Sequence, residues 1–189
     1  MKKLELREHI IKVASELFYA NGYNATGINE IIAKAEIAKA TLYSHFKSKD
    51  ALCIAYLKSM DNNFMDNLDV FIKSKKEAKL QLLGIFDFLR EMYYTSNFNG
   101  CWAIKCIAEI GKENHVVRQE IQNQKINLLS YLKGIISTNL PYCSKAEIEK
   151  LSNTIYLLYE SAICESHLHQ SDWPIYSAKN IANQVISQK

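Results

Sequence analysis

Apolar residues recur every three or four positions along most of the chain, which is the spacing of amphipathic helices. Within residues 22–49 this spacing predicts two short helices separated by a three-residue turn. Ile31 and Ile32 contribute to the apolar stripe of the first helix, and Leu42 and Phe46 to that of the second. The outer face of the second helix combines one lysine with small residues, hydroxyls and a tyrosine, and has no carboxylate. This composition suits a helix that enters the major groove of DNA.

Capping motifs predict where helices begin in the rest of the chain. Ser74 with Glu77, and Ser144 with Glu147, have the capping-box spacing that predicts the start of a helix. Residues 96–100 are predicted to end the helix that opens at Ser74. The other predicted helices cover residues 3–20, 49–73, 101–111 and 115–138, with a last one that ends near residue 187. The sequence therefore predicts an all-α fold of nine helices.

Composition agrees with a helical globular protein and limits its location. The 189 residues include only six Gly and two Pro, so long irregular segments are not expected. No apolar run approaches the roughly 18 residues that span a bilayer. Charges at Glu5, Arg7 and Glu8 interrupt any apolar core of a signal peptide. We therefore expect a cytoplasmic protein.

Little in the sequence favours catalysis or metal binding. Neither a nucleophile elbow, nor a phosphate loop, nor an HExxH motif is present, so an enzyme is not expected. The five cysteines form no CxxC pair and no zinc-like cluster, which indicates free thiols and no resident cofactor or metal. Residues 1–58 carry nine Lys or Arg and six Asp or Glu, whereas the remainder is balanced at 14 of each. The basic excess thus lies on the segment with the candidate recognition helix, as expected if that segment meets phosphates.

The most specific motif is TLYSHFKSKD at residues 41–50, followed by Leu52. Together with Phe18, Gly22 and Tyr23 upstream, it resembles the T-L-Y-x-H-F-x-S/N-K-E/D-x-L signature of the TetR family of bacterial transcriptional regulators. The resemblance implies an N-terminal helix-turn-helix DNA-binding domain and a C-terminal helical domain for ligand binding and dimerisation, with helix 4 as the link. The implied domain ranges are residues 1–48 and residues 49–189.

Three positions depart from the family pattern near the turn, and one of them is Ala40, where the family often has Gly. Glu36 stands where the family usually has Gly, so we expect either a left-handed residue that costs on the order of 1 kcal/mol or a turn of different shape. Ala38 stands where the family often has Ser before the recognition helix. An alanine side chain cannot donate to a phosphate, so any contact at this position must come from the backbone.

The resemblance implies DNA contacts from helix 2, the recognition helix and the start of helix 4. Thr41 and Tyr43 donate hydroxyls to phosphates or base edges, and Lys39 reaches a guanine or a phosphate. Ala40 packs on a thymine methyl group, and His45 either contacts a phosphate or holds the helix against helix 1. The predicted DNA-binding set is Thr26, through helix N-terminal amides, with Lys39, Ala40, Thr41, Tyr43, His45 and Lys49.

The second half of the chain is expected to supply an effector pocket and a dimer interface. Ordinary core packing is the alternative for each residue taken singly. The pocket candidates are Phe86, Leu89, Met92, Tyr93, Trp102, Cys106, Glu109, Ile110, Leu128 and Tyr131. The dimer-interface candidates are Leu151, Ile155, Leu158, Tyr159, Ala162, Ile163, Ile181 and Val185.

The predicted function is that of a homodimeric repressor that a small-molecule effector releases from a palindromic operator in double-stranded DNA. The alternative is the same fold controlled by a protein partner or by cysteine modification. Cys101 is the candidate thiol, because it follows Gly100 at a predicted helix N-terminus and Lys105 lies one turn away. A buried, inert cysteine is the other interpretation. A disulfide from Cys101 to Cys106 within one regular helix is disfavoured.

Overall fold

The computed structural model describes residues 3–95 and 98–188. Within them it contains ten helices and no strand, which confirms the all-α fold class. The helices are α1 (Lys3–Asn21), α2 (Ile28–Lys34), α3 (Lys39–His45), α4 (Lys49–Lys73), α5 (Ala78–Leu82), α6 (Gly84–Tyr93), α7 (Trp102–Glu109), α8 (His115–Asn139), α9 (Lys145–His169) and α10 (Trp173–Ile186). None of these helices is both long and apolar enough to cross a membrane.

The tenth helix arises because the predicted fifth helix is interrupted at Leu83. The backbone there has φ −96° and ψ −3°, and the Phe86 amide bonds to the Leu83 carbonyl, three residues back. Gly84 then begins α6 against α4. A Cβ atom at Gly84 would lie 2.9 Å from Cγ1 of Ile72, so a glycine is needed for this close approach.

One of the two predicted capping boxes is present. The Glu147 amide donates to Ser144 Oγ (3.3 Å), and the Ser144 amide donates to Glu147 Oε2 (2.9 Å). The box predicted at Ser74 and Glu77 is wrong. The Ser74 hydroxyl donates back to the Phe71 carbonyl at the end of α4, and α5 begins without a side-chain cap. Of the predicted helix end at residues 96–100, residues 96 and 97 lie outside the described part, and α6 ends earlier, at Tyr93.

The chain divides into two compact units. Unit 1 comprises the chain up to Asn63 and residues 101–124, and unit 2 comprises residues 64–100 and the chain from Lys125 onward. Helices α4 and α8 each contribute to both units. The division is not sequential because α7 packs with the N-terminal helices. The predicted functional boundary at residue 48 stays a prediction.

The core of unit 1 joins α1 to the three helices that follow it. Ile10, Ile31 and Leu42 are fully buried, one from each of the first three helices. The Phe18 ring lies with its centroid 5.7 Å from that of Tyr23 and 5.5 Å from that of Tyr56 on α4. This packing fixes α2 and α3 relative to α1 and the start of α4.

The core of unit 2 is built around the antiparallel helices α9 and α10, against which α6 packs. The Lys125 ammonium forms a half-buried ion pair with both carboxylate oxygens of Glu160, at 2.7 and 2.8 Å. Lys179 of α10 pairs with Asp87 of α6 at 2.5 Å. These contacts tie α8 to α9 and α6 to α10.

Candidate nucleic-acid interface

Helices α2 and α3 form the predicted helix-turn-helix, and the turn between them has the expected left-handed residue. Glu36 has φ 54°, and its amide donates to the Ala33 carbonyl (3.2 Å). The Ile37 amide reaches the Ile32 carbonyl at 3.2 Å. A non-glycine residue in this conformation costs on the order of 1 kcal/mol. The structure therefore confirms the strained turn that the sequence predicts.

The recognition helix α3 exposes a small polar face. Lys39, Ala40 and Ser44 are exposed, and 43% of the Tyr43 surface is accessible. Thr41 is half-buried beside the fully buried Leu42. The face thus offers a cation, a phenol, a hydroxyl and a methyl group, and it offers no carboxylate.

The first turn of α3 lacks a side-chain cap. Ala38 occupies the N-cap position with an extended backbone, φ −75° and ψ 149°, and cannot accept from the amides of the first turn. Uncapped amide groups at a helix start are available to an anion such as a phosphate. This agrees with the expectation that contact at Ala38 must come from the backbone.

His45 is half-buried, with its ring centroid 6.4 Å from that of Phe46. The contact between α1 and the end of α3 involves Arg7, whose guanidinium lies 5.1 Å from the centroid of the Phe46 ring. His9 also reaches from α1 to the Ala35 carbonyl (3.2 Å). Arg7 thus supplies the link between α1 and α3 that was proposed as one of the two roles of His45, whereas His9 ties α1 to the end of α2.

Thr26 has no accessible surface. Its hydroxyl lies 2.8 Å from the Gly22 carbonyl and 3.2 Å from the Leu17 carbonyl at the end of α1. The side chain therefore closes α1 and is not available to DNA. Only the backbone amides at the start of α2 remain for the phosphate contact predicted here.

Lys49 at the start of α4 is held by an aromatic ring. Its ammonium lies 4.4 Å from the centroid of the Tyr23 ring, a cation–π geometry. The Tyr23 hydroxyl donates to Asp50 Oδ1, and burial followed by this hydrogen bond raises the pKa of Tyr23. Lys49 is thereby positioned next to the recognition helix as a half-exposed cation. The role of Tyr23 and Asp50 in holding it is not visible in the sequence pattern.

Helix α7 is bound to residues 19–24, which we call the α1–α2 corner. The Asn24 amide donates to Glu109 Oε2 (2.6 Å), and the Asn24 side-chain amide donates to the Glu109 carbonyl (2.9 Å). The Lys105 ammonium donates to the Tyr19 carbonyl (2.8 Å). Gly22 has φ 94°, and a Cβ atom there would lie 2.3 Å from Glu109 Oε1.

These contacts correct two predictions. Glu109 was expected to line an effector pocket, and its carboxylate instead binds the α1–α2 corner. Lys105 was expected to stabilise a Cys101 thiolate, and its ammonium instead binds a backbone carbonyl. Cys101 is the N-cap residue of α7, as predicted, and only 5% of its surface is accessible.

The remaining pocket candidates are divided between the two units. Trp102, Cys106 and Ile110 are buried in unit 1. Unit 2 contains Phe86, Leu89, Met92, Tyr93, Leu128 and Tyr131. The Tyr131 hydroxyl donates to Asp69 (3.2 Å), and burial and this carboxylate raise its pKa. An open cavity of about 510 Å³ in unit 2 involves none of the predicted residues; it is lined by Phe71, Lys75, Asp87, Arg90, Glu91 and Tyr94.

The dimer-interface candidates fall into a buried group and a more accessible group. Five of the eight are at most 2% accessible within one chain, so they belong to the interior of unit 2 and not to a subunit surface. These five are Leu151, Ile155, Tyr159, Ala162 and Ile163. Leu158 and Val185 are half-buried, and Ile181 is 46% accessible. Periodicity located the apolar stripes correctly but assigned the core-facing stripe of α9 to the partner.

The outer faces of α9 and α10 carry large apolar residues that the sequence-based prediction omitted. Leu157 and Leu168 on α9 are 64% and 71% accessible, and Trp173 on α10 is 52% accessible. Leu157 and Leu168 are eleven residues apart, which places them on one side of the helix. We refer to these three residues together with Ile181 on α10, which is 46% accessible, as the exposed apolar face of unit 2.

Comparison with known proteins agrees with this geometry. Residues 10–56 match the family described as "Bacterial regulatory proteins, tetR family". The chain is 34% identical over 94 residues to the HTH-type transcriptional regulator QacR of Staphylococcus aureus, covering 48% of this chain and 50% of QacR. It is 20% identical over 190 residues to the HTH-type transcriptional repressor NemR of Escherichia coli, covering 97% of this chain and 94% of NemR.

The fold of the entire chain also has a close counterpart. The crystal structure of SCO4454, a TetR-family transcriptional regulator from Streptomyces coelicolor, superimposes with a TM-score of 0.85 at 21% identity, covering 97% of this chain and 89% of SCO4454. These relatives are named as transcriptional regulators, which confirms the expectation of a regulator and not an enzyme. The helix-turn-helix segment of the chain thus matches the TetR family of bacterial DNA-binding transcriptional regulators, and the chain has the fold of a TetR-family regulator.

Proposed function

We propose that the protein is a cytoplasmic homodimeric repressor that binds a palindromic operator and is released from it by a small-molecule effector. The observation that carries this proposal is the exposed face of α3, which combines Lys39, Ala40 and Tyr43 without a carboxylate. The buried side of the same helix is fixed by Leu42. A rigidly held helix with short donors and a methyl-sized contact suits direct readout in the major groove.

The proposed contacts divide into specific and general ones. Tyr43, Lys39 and Ala40 face the bases, since they lie on the exposed side of α3. Lys49 and the uncapped amides at the start of α3 face phosphates, which position the protein without selecting a sequence. Thr26 contributes only through the backbone, because its hydroxyl is already bonded within the domain.

The exposed apolar face of α9 and α10 supports dimerisation. Contiguous exposed apolar surface on a soluble protein marks an interaction site. A two-fold axis through this face would pair the two recognition helices on half-sites separated by one or more helical turns. We therefore assign Leu157, Leu168, Trp173 and Ile181 to the subunit interface, in place of the buried candidates.

The proposed effector acts through α7. This helix holds the α1–α2 corner with Lys105 and Glu109, so a ligand that displaces α7 would change the support of the DNA-binding helices. The buried Trp102 on α7 and Ile110, which directly follows α7, remain our candidates for sensing the ligand. The group in unit 2, which is a separate candidate for ligand binding, consists of Phe86, Leu89, Met92, Tyr93, Leu128 and Tyr131.

The test is selection of operator sequences from a random library, followed by footprinting. We expect a near-palindrome protected on two half-sites. Tyr43→Ala should weaken binding by roughly 1–3 kcal/mol per half-site, because it removes contacts made only by the exposed face of α3. Tyr142→Ala is the matched control, since Tyr142 is 67% accessible but lies in the loop before α9. Equal operator affinity for Tyr43→Ala and Tyr142→Ala would refute the assignment of α3 as the recognition helix.

A further inference from the structure

Two buried cysteines meet between α4 and α7 in unit 1. The sulfur atoms of Cys53 and Cys106 are 3.6 Å apart. Cys53 has no accessible surface, and Cys106 is 3% accessible. The two residues are 53 positions apart in sequence, so no spacing motif indicates that they are neighbours.

The contact between the two thiols shifts their pKa values in opposite directions. The hydrogen bond with Cys106 and then burial raise the pKa of Cys53. The hydrogen bond with Cys53 lowers the pKa of Cys106. Of the two thiols, Cys106 is thus the one that loses its proton first, with a second thiol already in contact. A thiolate with an adjacent resolving thiol is the arrangement that favours disulfide formation over further oxidation.

We propose that Cys53 and Cys106 are a dithiol modification site, which small two-electron oxidants of the peroxide class convert to a disulfide, and that this disulfide lowers affinity for the operator. The chemical half of the proposal stands on the geometry of the pair alone. The regulatory half rests on the proposed function. This site differs from Cys101, which lies at the start of α7 and whose predicted partner Lys105 is bound elsewhere.

The reaction needs one peroxide for each pair. The Cys106 thiolate attacks a peroxide oxygen, the O–O bond breaks, and the sulfur becomes a sulfenic acid. The hydroxide that leaves takes up the proton that Cys106 released, and forms water. Cys53 then attacks the Cys106 sulfur, the S–O bond breaks, and the departing hydroxide takes the Cys53 proton as a second water. Two thiols lose two electrons to the peroxide, and an S–S bond forms.

The disulfide is expected to strain the support of the DNA-binding helices. The sulfur atoms must approach from 3.6 Å to about 2.05 Å. Cys106 lies between Lys105 and Glu109, which bind the α1–α2 corner. Cys53 lies one turn after Asp50, which binds Tyr23 of the same corner. A change in the contact between α4 and α7 would therefore alter the position of the α1–α2 corner through both helices.

Burial gives the site a size selectivity that distinguishes it from a surface thiol. Hydrogen peroxide is comparable to water in size, whereas a maleimide dye or glutathione disulfide requires open access to the sulfur. Cys143 is half-exposed in the loop before α9 and serves as an internal comparison. We expect the dye to label Cys143 in the folded protein and to leave Cys53 and Cys106 unlabelled until the protein is unfolded.

The experiment treats the reduced full-length protein with hydrogen peroxide and maps its peptides by mass spectrometry. We expect a linked peptide pair that contains Cys53 and Cys106, with the loss of two free thiols. Cys53→Ser should stop at a sulfenic acid on Cys106 that a diketone probe traps. Cys143→Ser is the matched control and should form the disulfide like the wild type. Operator affinity should fall about tenfold or more in the wild type and Cys143→Ser, a typical size for coupling between sites.

Two results would overturn a half of the proposal each, and a third would refute the proposed function instead. If peroxide oxidises Cys143 while Cys53 and Cys106 remain thiols, the pair is not a modification site. If the disulfide forms but operator affinity is unchanged, the regulatory half is wrong. If the reduced protein binds no operator, the proposed function fails by itself. In that case amide hydrogen exchange of residues 22–49 tests whether the disulfide affects the DNA-binding helices. The same exchange rates in the reduced and the oxidised protein would contradict such an effect.

Discussion

Units 1 and 2 both bury one side of amphipathic helices and differ in what the other side exposes. The free face of α3 in unit 1 consists of Lys39, Ala40, Tyr43 and Ser44. The free faces of α9 and α10 in unit 2 carry large aliphatic and aromatic side chains. The helices of both units have the same hydrophobic periodicity, so this periodicity identifies a helix but does not identify its binding partner. The chemistry of the residues outside the stripe separates a surface for phosphates and base edges from a surface for another protein.

The largest expected effect is a charge on the exposed apolar face of unit 2. Leu157→Arg should produce a folded monomer, because two like charges would be desolvated near the two-fold axis. Operator binding should fall at least 100-fold, since one recognition helix alone reads a single half-site. Sedimentation measures the first effect, and a binding titration the second.

Val70→Arg is the control for that prediction. Val70 on α4 is also in unit 2 and is 70% accessible, but it does not belong to the α9–α10 face. The Val70→Arg variant should remain dimeric. A dimer in both variants would place the subunit interface outside the face that contains Leu157.

A second prediction concerns the contact of α7 with the α1–α2 corner. Gly22→Ala should reduce the free energy of unfolding by about 2–3 kcal/mol, through a disfavoured positive φ and loss of the Glu109–Asn24 hydrogen bond. Chemical denaturation measures this change. Gly134→Ala in α8 should have the opposite sign and stabilise by about 0.5–1 kcal/mol, because no atom lies within 4 Å of the added methyl group. Equal destabilisation by both substitutions would mean that α7 does not hold the corner.

The sequence predicted unit 1 better than unit 2, and the reason is physical. A helix-turn-helix is a local structure, so its stripe, its left-handed Glu36 and its uncapped start at Ala38 follow from adjacent residues. The contacts of α7 depend on residues up to 86 positions apart, such as Lys105 and Tyr19, and no local pattern specifies them. On α9, two apolar stripes compete, and only the packed fold decides that Ile155 is inside and Leu157 outside.

A third prediction tests the electrostatic part of the unit 1 surface. Lys49→Ala should weaken binding to specific and nonspecific DNA alike and should reduce the slope of log K against log salt by about 0.9 for each subunit. Lys76→Ala is the control, since Lys76 is an exposed lysine of unit 2. Affinity measured from low to moderate salt separates the two. An unchanged slope for Lys49→Ala would remove this residue from the phosphate contacts.

The smallest expected effect compares the two left-handed residues of the described chain that are not glycine. Glu36 in the turn of unit 1 has φ 54°, and Gln170 after α9 in unit 2 has φ 49°. Glu36→Gly should stabilise by about 1 kcal/mol, because glycine adopts this conformation without the steric cost. Gln170→Gly should stabilise less, since it also removes the hydrogen bond from the Gln170 amide group to the His167 carbonyl (2.5 Å). Urea denaturation midpoints of the two variants measure the difference, and a larger gain for Gln170→Gly would show that the Glu36 turn is not the more strained of the two.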